Sequence, residues 1–295
     1  MRVAIDLSVL SLQKNGGIST YSKKLVEYLL KNNIAVNAII SDASHESMFS
    51  YNENLSFFHE RFFGKLHQFK KINVPLGTDF LISPYYRIPS CNKVKYISVV
   101  HDFTVEKLRT SNWVLHKQIK NRSFRRADKI ITISDATKKD LLTFFPYCSK
   151  KKIQTIYHGV DGTQYFPDLS RIELQENVNS YFVFLGSRAR YKRFDLAIET
   201  ALASPDVLLV IVGNELTQKE SSFLDRTLPN RYLILSELSD PGLRRVLSNA
   251  ICLIYPSDSE GFGMPILEAF SCGCPVIISN DPAMNEIGKP VAFSA

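Results

Sequence analysis

The chain has 295 residues, 45% of them hydrophobic and 22% charged, with a formal net charge of +7; this excludes a disordered chain and leaves room for two separate cores. No apolar run reaches the ~18–20 residues of a spanning helix, and the opening MRVAIDLSVL is too short and too soon acidic for a secretory signal, so a cytoplasmic protein is expected. Five cysteines, scattered apart from Cys272 and Cys274, fit neither a disulfide framework nor a zinc site and read as reduced, mostly buried thiols.

The charge is unevenly placed. Residues 1–165 carry 25 Lys+Arg against 13 Asp+Glu, whereas residues 166–295 carry 11 against 16. Basic clusters at KLHQFKK (65–71), KNRSFRRADK (120–129) and KKK (150–152) offer a face to nucleic acid, anionic lipid or a phosphorylated substrate, or form a solvated lysine-rich surface. No aromatic-glycine RNP run or zinc finger accompanies them, so nucleic acid is not expected as a partner.

In chain order, RVAIDLSVL (2–10) is strand-like and STYSKKLVEYLLKNN (19–33) is an amphipathic helix with Tyr21, Leu25, Tyr28 and Leu29 on one face. Short β-rich runs follow at 35–40, 79–84, 94–100, 129–134 and 153–157, and SDATKKDLLTFF (134–145) reads as a helix capped by Ser134. The pattern restarts after residue 165: strands at 181–187, 207–213, 232–237, 251–257 and 275–279, helices at 194–203, 240–250 and 265–272. Consecutive rather than alternating apolar residues predict strands buried on both faces, hence parallel sheets covered by helices. The expected fold is α/β with two doubly wound domains, 1–165 and 166–295, joined near 161–170.

The stretch SDSEGFGMPILEAFSCGCPVIISN (257–280) places Glu260 and Glu268 around a turn containing Gly261, Gly263 and Pro265. A strand ends at Ser257, Pro265 suits the first turn of the next helix, and Gly273 suits its stop. Such a loop offers free backbone N–H groups and a positive helix end to an anion at Gly261–Met264, beyond the carboxyl ends of the strands. Glu268, in the first helical turn, can then accept from a ribose diol and Glu260 from sugar hydroxyls. Complementing the helix dipole and solvated loop charge are the plainer readings of the two acids.

The segment EGFGMPILE resembles the E-x7-E signature of retaining glycosyltransferase family four. GGISTYSKKLVEYL (16–29), VVHD (99–102), RADKIITISDATKKDLL (126–142), IYHGVD (156–161), FLGSRARYK (184–192), LVIVG (209–213) and NEIG (285–288) follow in that family's order and spacing. The resemblance runs along the whole chain and implies the GT-B architecture: two Rossmann-like domains, the first on the acceptor side and the second holding a nucleotide-sugar donor. It also implies roles. Arg188 and Lys192 neutralise the donor diphosphate as charge develops on it; Glu268 holds the ribose and Glu260 the donor sugar. Gly261, Phe262, Gly263, Met264 and Pro265 supply the surrounding backbone, although Phe262 reads equally as core. His101 addresses the donor sugar or charge at its anomeric carbon, and Gly16 and Gly17 form a loop that lets backbone approach donor phosphate or acceptor. Asp102 reads as a cap on the turn after it, and His158 as hinge packing between the domains. Arg190 and Arg193 read as solvated.

The family places Glu260 on sugar hydroxyls rather than beneath the anomeric carbon, so the resemblance implies front-face substitution rather than double displacement. The triplet Asp258-Ser259-Glu260 lies inside the loop and implies no metal; neither metal nor cofactor is expected beyond a GDP-sugar or UDP-sugar donor. The branch resembled builds bacterial O-antigen or capsule, which modestly favours mannose. The expected acceptor is a glycan or a lipid-linked oligosaccharide, with the protein peripheral on the inner membrane face. Family members usually continue past the strand that follows NEIG, whereas this sequence stops at VAFSA (291–295), so the second domain is expected to be incomplete. The alternative is a truncated, inactive or partner-dependent module that binds nucleotide or acceptor. A GT-B epimerase would need an acid and a base around the sugar that the sequence does not present.

Overall fold

The computed structural model describes residues 1–13, 16–62, 64–170, 180–236, 238–289 and 293–294; the side chains of Lys65, Leu66, Phe293 and Ser294 lie outside that description. The chain separates into two compact units, Met1–Tyr157 and His158–Ala295. In the first, strands β1 (Arg2–Asp6), β2 (Ala35–Ile40), β3 (Leu55–His59), β4 (Phe80–Ser83), β5 (Lys95–Val100), β6 (Lys129–Thr132) and β7 (Lys152–Thr155) form a sheet in the order β3-β2-β1-β4-β5-β6-β7. All neighbours are parallel. Helices α1 (Gly17–Lys31), α2 (Thr104–Lys107), α3 (Trp113–Arg126) and α4 (Asp135–Phe144) lie in its crossovers.

The second unit repeats the plan. Strands β8 (Tyr181–Leu185), β9 (Leu208–Val212), β10 (Tyr232–Leu235), β11 (Cys252–Tyr255), β12 (Val276–Ile278) and β13 (Phe293–Ser294) pair in the order β10-β9-β8-β11-β12-β13, again all parallel. Helices α5 (Phe194–Leu202), α6 (Gln218–Thr227), α7 (Asp240–Ser248), α8 (Met264–Ser271) and α9 (Pro282–Gly288) connect them. Because successive residues of a strand point to opposite faces, a strand covered on both sides must be apolar throughout. In β8, Tyr181 and Val183 enter one core while Phe182 and Phe184 enter the other.

Local expectations meet several corrections. The strand at 2–10 ends at Asp6, and Ser8–Ser11 forms a 3-10 turn that still buries Val9 and Leu10; an apolar run by itself does not separate the two. Helix α1 turns Ser19, Ser22, Val26 and Leu29 inward, leaving Tyr28 64% exposed. The buried stripe is rotated by about one residue, ~100° around the helix, because Ser22 faces inward by donating to the Ile18 carbonyl at 2.7 Å. Ser134 does cap α4, accepting from the Thr137 N–H. Glu268 is the fifth residue of α8, one residue past the first turn in which it was expected. Strand β3 and helices α3, α6 and α9 add elements that the sequence reading left out. Cys91 is exposed and the other four cysteines are buried.

The basic segment 120–129 is not an open face. Lys120 is buried against Glu106 at 2.7 Å and donates to the Asp102 carbonyl, Arg122 donates to the Phe69 carbonyl, and Arg126 meets Asp128 and the carbonyls of Cys91 and Val94. No helix of the described residues is long and apolar enough to cross a membrane.

Candidate functional site

In the second unit the carboxyl ends of β8, β9 and β11 lead into three loops whose sequences were quoted above. Gly186 ends β8 with φ +131°, and its N–H donates to the Val212 carbonyl at 2.9 Å. Gly213 follows β9 so closely that a Cβ on it would stand 2.5 Å from the Gly186 carbonyl oxygen. These two backbones can meet only where one side chain is absent.

The loop after β8 is tied to the loop after β11 by backbone. Asp258 N–H donates to the Tyr191 carbonyl at 2.7 Å, and the Ser257 hydroxyl to the same oxygen at 3.2 Å. Arg193 extends the tie: it chelates Asp195 and reaches Asp258 at 3.4 Å, bridging the two loops while its side chain stays partly exposed. It does so from a left-handed conformation, φ 47° and ψ 47°. These ties bring Lys192 and Glu260 together. Lys192 Nζ lies 2.5 Å from Glu260 Oε1, Tyr255 donates its hydroxyl to the same oxygen at 3.0 Å, and Lys192 Nζ is 3.2 Å from that hydroxyl. Both charged side chains are mostly buried, 15% and 14% exposed. Tyr255 is not a residue that the sequence singled out. Its phenol is pushed well above the usual range, chiefly by burial and then by Glu260, with a smaller push from Glu268. It therefore sits in the field of both signature acids.

Gly261, Phe262 and Gly263 are buried and lead into α8, where Gly263 is the N-cap at φ +97°. A Cβ there would come within 2.9 Å of Ile266. The first helical residues are Met264 and Pro265, so no side chain caps the helix and no acid stands in its first turn. The positive helix end is left to the backbone. Phe262 packs edge-on against His158 with ring centroids 4.9 Å apart, and burial lowers the His158 pKa to about 4. Glu268 is half-buried, its carboxylate makes no hydrogen bond among the described residues, and its pKa is raised to about 7, first by desolvation and then by Asp240. Gly273, at φ +75°, ends the helix as the sequence implied.

Arg188 does a different job from Lys192. It donates to Glu220 at 2.8 Å and to the carbonyls of Asn214 and Glu215 at 2.8 and 2.7 Å, which locks the loop after β9 onto the start of α6. Glu220 also closes a capping box with Thr217, and the Arg188 guanidinium leads the interactions that hold its carboxyl down at about 2. Arg188 lines a hollow of about 760 Å³ with Arg190, Arg193, Phe194 and Phe223, and Lys192 is not in that lining. Arg190 is exposed there, and its guanidinium makes no hydrogen bond or ion pair among the described residues.

In the first unit His101 follows β5, is 5% exposed, and meets the ring of Tyr21 edge-on at 5.0 Å. Asp102 accepts from the Thr104 N–H at 3.0 Å, a cap on the short turn that follows. Gly16 is the N-cap of α1 and Gly17 its first residue; a Cβ on Gly17 would meet nothing within 4 Å. A concavity of about 900 Å³ opens beside the ends of β1 and β2, lined by Leu10, Ser11, Ser41, Asp42, Ser44 and Phe62 among others.

Comparison with known proteins bears on this arrangement. O-antigen chain mannosyltransferase RfbU of Salmonella typhimurium is 28% identical over 56% of this chain and 46% of its own length. O-antigen chain mannosyltransferase B of Escherichia coli is 26% identical over 57% and 47%. The chain spans about half the length of these curated relatives. Among solved structures, sucrose-phosphate synthase of Thermosynechococcus elongatus superposes with a TM-score of 0.80 at 15% identity, over all of this chain and 85% of that one. Anabaena HepE in complex with UDP and glucose gives 0.73 at 17%, with the same coverage. The model of Glycosyltransferase Family 4 matches residues 15–164 and that of Glycosyl transferases group 1 matches 167–290, so the chain belongs to glycosyltransferase family 4, on the GT-B plan of two Rossmann-like units.

Proposed function

We propose that the protein is a retaining glycosyltransferase that moves a hexose from a nucleotide diphosphate sugar to a glycan or lipid-linked acceptor in bacterial surface polysaccharide synthesis. The observation that carries this reading is the meeting of Lys192 and Glu260 at the carboxyl edge of the second sheet, beside a glycine loop that opens on the uncapped start of α8. Lys192 and the α8 N-terminus meet the diphosphate, Glu260 turns to the hexose hydroxyls, and Glu268 accepts from the ribose. Arg188 acts in this reading by holding the loop after β9, which is a positioning role. The relatives named as O-antigen mannosyltransferases favour mannose and a polysaccharide product, while the UDP complex of Anabaena HepE keeps a uridine donor open beside a guanosine one.

In the proposed reaction the bond from the anomeric carbon to the diphosphate breaks, and its electron pair leaves with the diphosphate. The acceptor hydroxyl bonds to the same face of that carbon, and its proton passes to a leaving phosphate oxygen. Growing charge on the diphosphate is what Lys192 and the backbone dipoles stabilise, so the reading calls for no metal and no cofactor. His101, at the carboxyl end of β5, is assigned to the donor sugar. The concavity lined by Ser11, Ser41, Asp42, Ser44 and His45 suits a sugar of the acceptor, since its walls offer hydroxyls, one acid and one imidazole but no lysine or arginine.

Nucleotide release from GDP-mannose and UDP-hexoses, followed by NMR of the anomeric configuration of the product, tests the proposal. An inverted product rejects the retaining course. Tight nucleotide binding without release under every acceptor tried would support a binding module of the same fold.

A further inference from the structure

Tyr255 closes β11 at the place where the second sheet reverses its order. From β8 the chain builds outward through β9 to β10, then returns to the other side of β8 at β11, where Ile254 pairs with Phe184. Ligands of open parallel sheets bind beyond the carboxyl ends at such a reversal. The Tyr255 ring belongs to the core that also holds Val183, Leu253 and Val276, and phenylalanine would fill that space as well. The hydroxyl is another matter. Tyr181, equally buried on the neighbouring strand, satisfies its hydroxyl on the Val246 carbonyl at 2.9 Å, an ordinary partner for a buried phenol. Tyr255 instead donates to Glu260 Oε1 at 3.0 Å and accepts from Lys192 Nζ at 3.2 Å. This bonding leaves an uneven remainder. Glu260 Oε1 takes both the phenol and the ammonium, whereas Oε2 takes no hydrogen bond among the described residues. Lys192 spends two of its three protons on Glu260 and Tyr255. One carboxylate oxygen and one ammonium proton are therefore left over at the same carboxyl edge.

We propose that Tyr255 is a positioning residue of the transfer reaction: its hydroxyl pins Glu260 Oε1, so that Oε2 is presented to the donor hexose and selects among hexoses by their hydroxyl pattern. The inference rests on the transfer reading and deepens it. The terminal torsion of a glutamate is broad and two-fold, so Lys192, itself on a flexible stem, does not decide alone which oxygen is turned outward. A rigid phenol locked in the core does. Burial and then Glu260 hold that phenol well above its usual range, so it stays a proton donor to the carboxylate through the neutral range. A carboxylate oxygen held in register then distinguishes hexoses by where a hydroxyl can donate to it. An epimer whose hydroxyl points elsewhere leaves that oxygen unpaired, which is costly in a mostly buried site.

Tyr255→Phe removes the hydroxyl and keeps the ring. The full chain is assayed with GDP-mannose, GDP-glucose, UDP-glucose and UDP-galactose, which pair hexoses differing at one hydroxyl. Tyr255→Phe should lower kcat/KM for the preferred donor about tenfold and leave calorimetric affinity for the bare nucleotide within about twofold. The ratio of kcat/KM between that donor and its epimer should fall as well. Combined with Glu260→Gln, the same change should alter kcat/KM by less than about twofold, because the group it acts through is already altered. Tyr181→Phe is the control. It loses an equally buried hydroxyl bond, so it should lower the thermal midpoint by a few degrees, as Tyr255→Phe does, with kcat/KM and the epimer ratio unchanged. Losses that multiply in Tyr255→Phe with Glu260→Gln, or an unchanged epimer ratio in Tyr255→Phe, would overturn the inference. Equal weakening of bare nucleotide and sugar nucleotide would place the effect on Lys192 and overturn it too. These outcomes, seen beside transfer by the parent, leave the transfer reading standing. A parent that neither releases nucleotide nor binds any of the four donors rejects that reading, and the role of Tyr255 with it.

Discussion

Lys192 Nζ reaches Glu260 Oε1 at 2.5 Å across 68 positions of sequence, and the Tyr255 hydroxyl meets the same oxygen at 3.0 Å. The cation proposed for the donor diphosphate and the acid proposed for its sugar are thus each other's partner.

Lys192→Ala should lower turnover by roughly two to three decades, because the charge it stabilises grows as the diphosphate leaves. Glu260→Gln should spare bare nucleotide and weaken the sugar-bearing donor. Without donor, each single change should cost about 1–2 kcal/mol, since a mostly buried charge loses its strongest hydrogen bond. The double variant should cost less than the sum. A double-mutant cycle by urea denaturation, with calorimetric titration of nucleotide and sugar nucleotide, reads all of this. Additive stability losses would show that the pair is not energetically coupled, and near-normal turnover in Lys192→Ala would remove its catalytic role.

Glu268 links stability to pH. Its carboxyl is raised from an ordinary 4.5 to about 7 by desolvation first and by Asp240 second. Between these values the folded chain holds a proton that the unfolded chain has released, so stability falls as pH rises through that window and is level above it. Glu268→Gln should therefore be more stable than the parent above pH 7, by about 2 kcal/mol once its partial exposure is allowed for, and should differ little near pH 4. Function should move the other way. Ribose hydroxyls donate best to the ionised form, so nucleotide binding should tighten from pH 6 to 8 in the parent by more than in Glu268→Gln. Parallel pH profiles for the two proteins would show that the ribose does not use this carboxylate.

What the sequence made legible here, and what it did not, follows from the kind of interaction involved. The parallel sheets were readable because β8 and β9 are apolar at every position, a pattern that only two-sided burial produces. Lys192 and Glu260 were readable as a resemblance of spacing. Tyr255 was not, because a tyrosine at the end of an apolar strand is indistinguishable from core until its hydroxyl is seen against Glu260. The inward stripe of α1 was misjudged for a similar reason: a serine that bonds its own helix is apolar in effect, and a hydropathy pattern scores it as polar.

Arg188 gives the third prediction. Three of its four hydrogen bonds reach the Asn214 carbonyl, the Glu215 carbonyl and the nearer Glu220 oxygen at 2.7–2.8 Å, so Arg188→Ala should cost about 2–3 kcal/mol of stability together with activity. Glu220→Gln should reproduce part of the stability loss and the accompanying loss of activity without touching a donor ligand. If Arg188→Ala instead abolishes turnover at an unchanged thermal midpoint and Glu220→Gln is silent, Arg188 acts on the diphosphate directly.

Gly213 and Gly186 give the fourth. A Cβ at position 213 would stand 2.5 Å from the Gly186 backbone oxygen, which cannot swing away as a side-chain tip would. Gly213→Ala should then force the ends of β8 and β9 apart and lower the thermal midpoint by several degrees, an effect of about 2–3 kcal/mol. Gly186→Ala has open space around its Cβ but a φ of +131°, so its cost is conformational and should be about 1–2 kcal/mol. Equal and negligible shifts in the two variants would mean that the loops relax freely.

Gly17 separates a structural from a functional glycine. It is the first residue of α1, and a Cβ placed on it meets nothing within 4 Å. Alanine removes the entropy that glycine loses on entering a helix, so Gly17→Ala should raise stability by about 0.5–1 kcal/mol. If backbone at this position approaches donor phosphate or acceptor, the same methyl should stand in the way, and kcat/KM should fall by at least tenfold while the thermal midpoint rises. That opposed pair of changes is a signature that packing damage cannot imitate, because a packing defect lowers both together. Full activity in a stabilised Gly17→Ala would leave the glycine as a plain helix start and would shift any approach to substrate onto Gly16, whose added Cβ meets the Gln13 side chain at 2.9 Å.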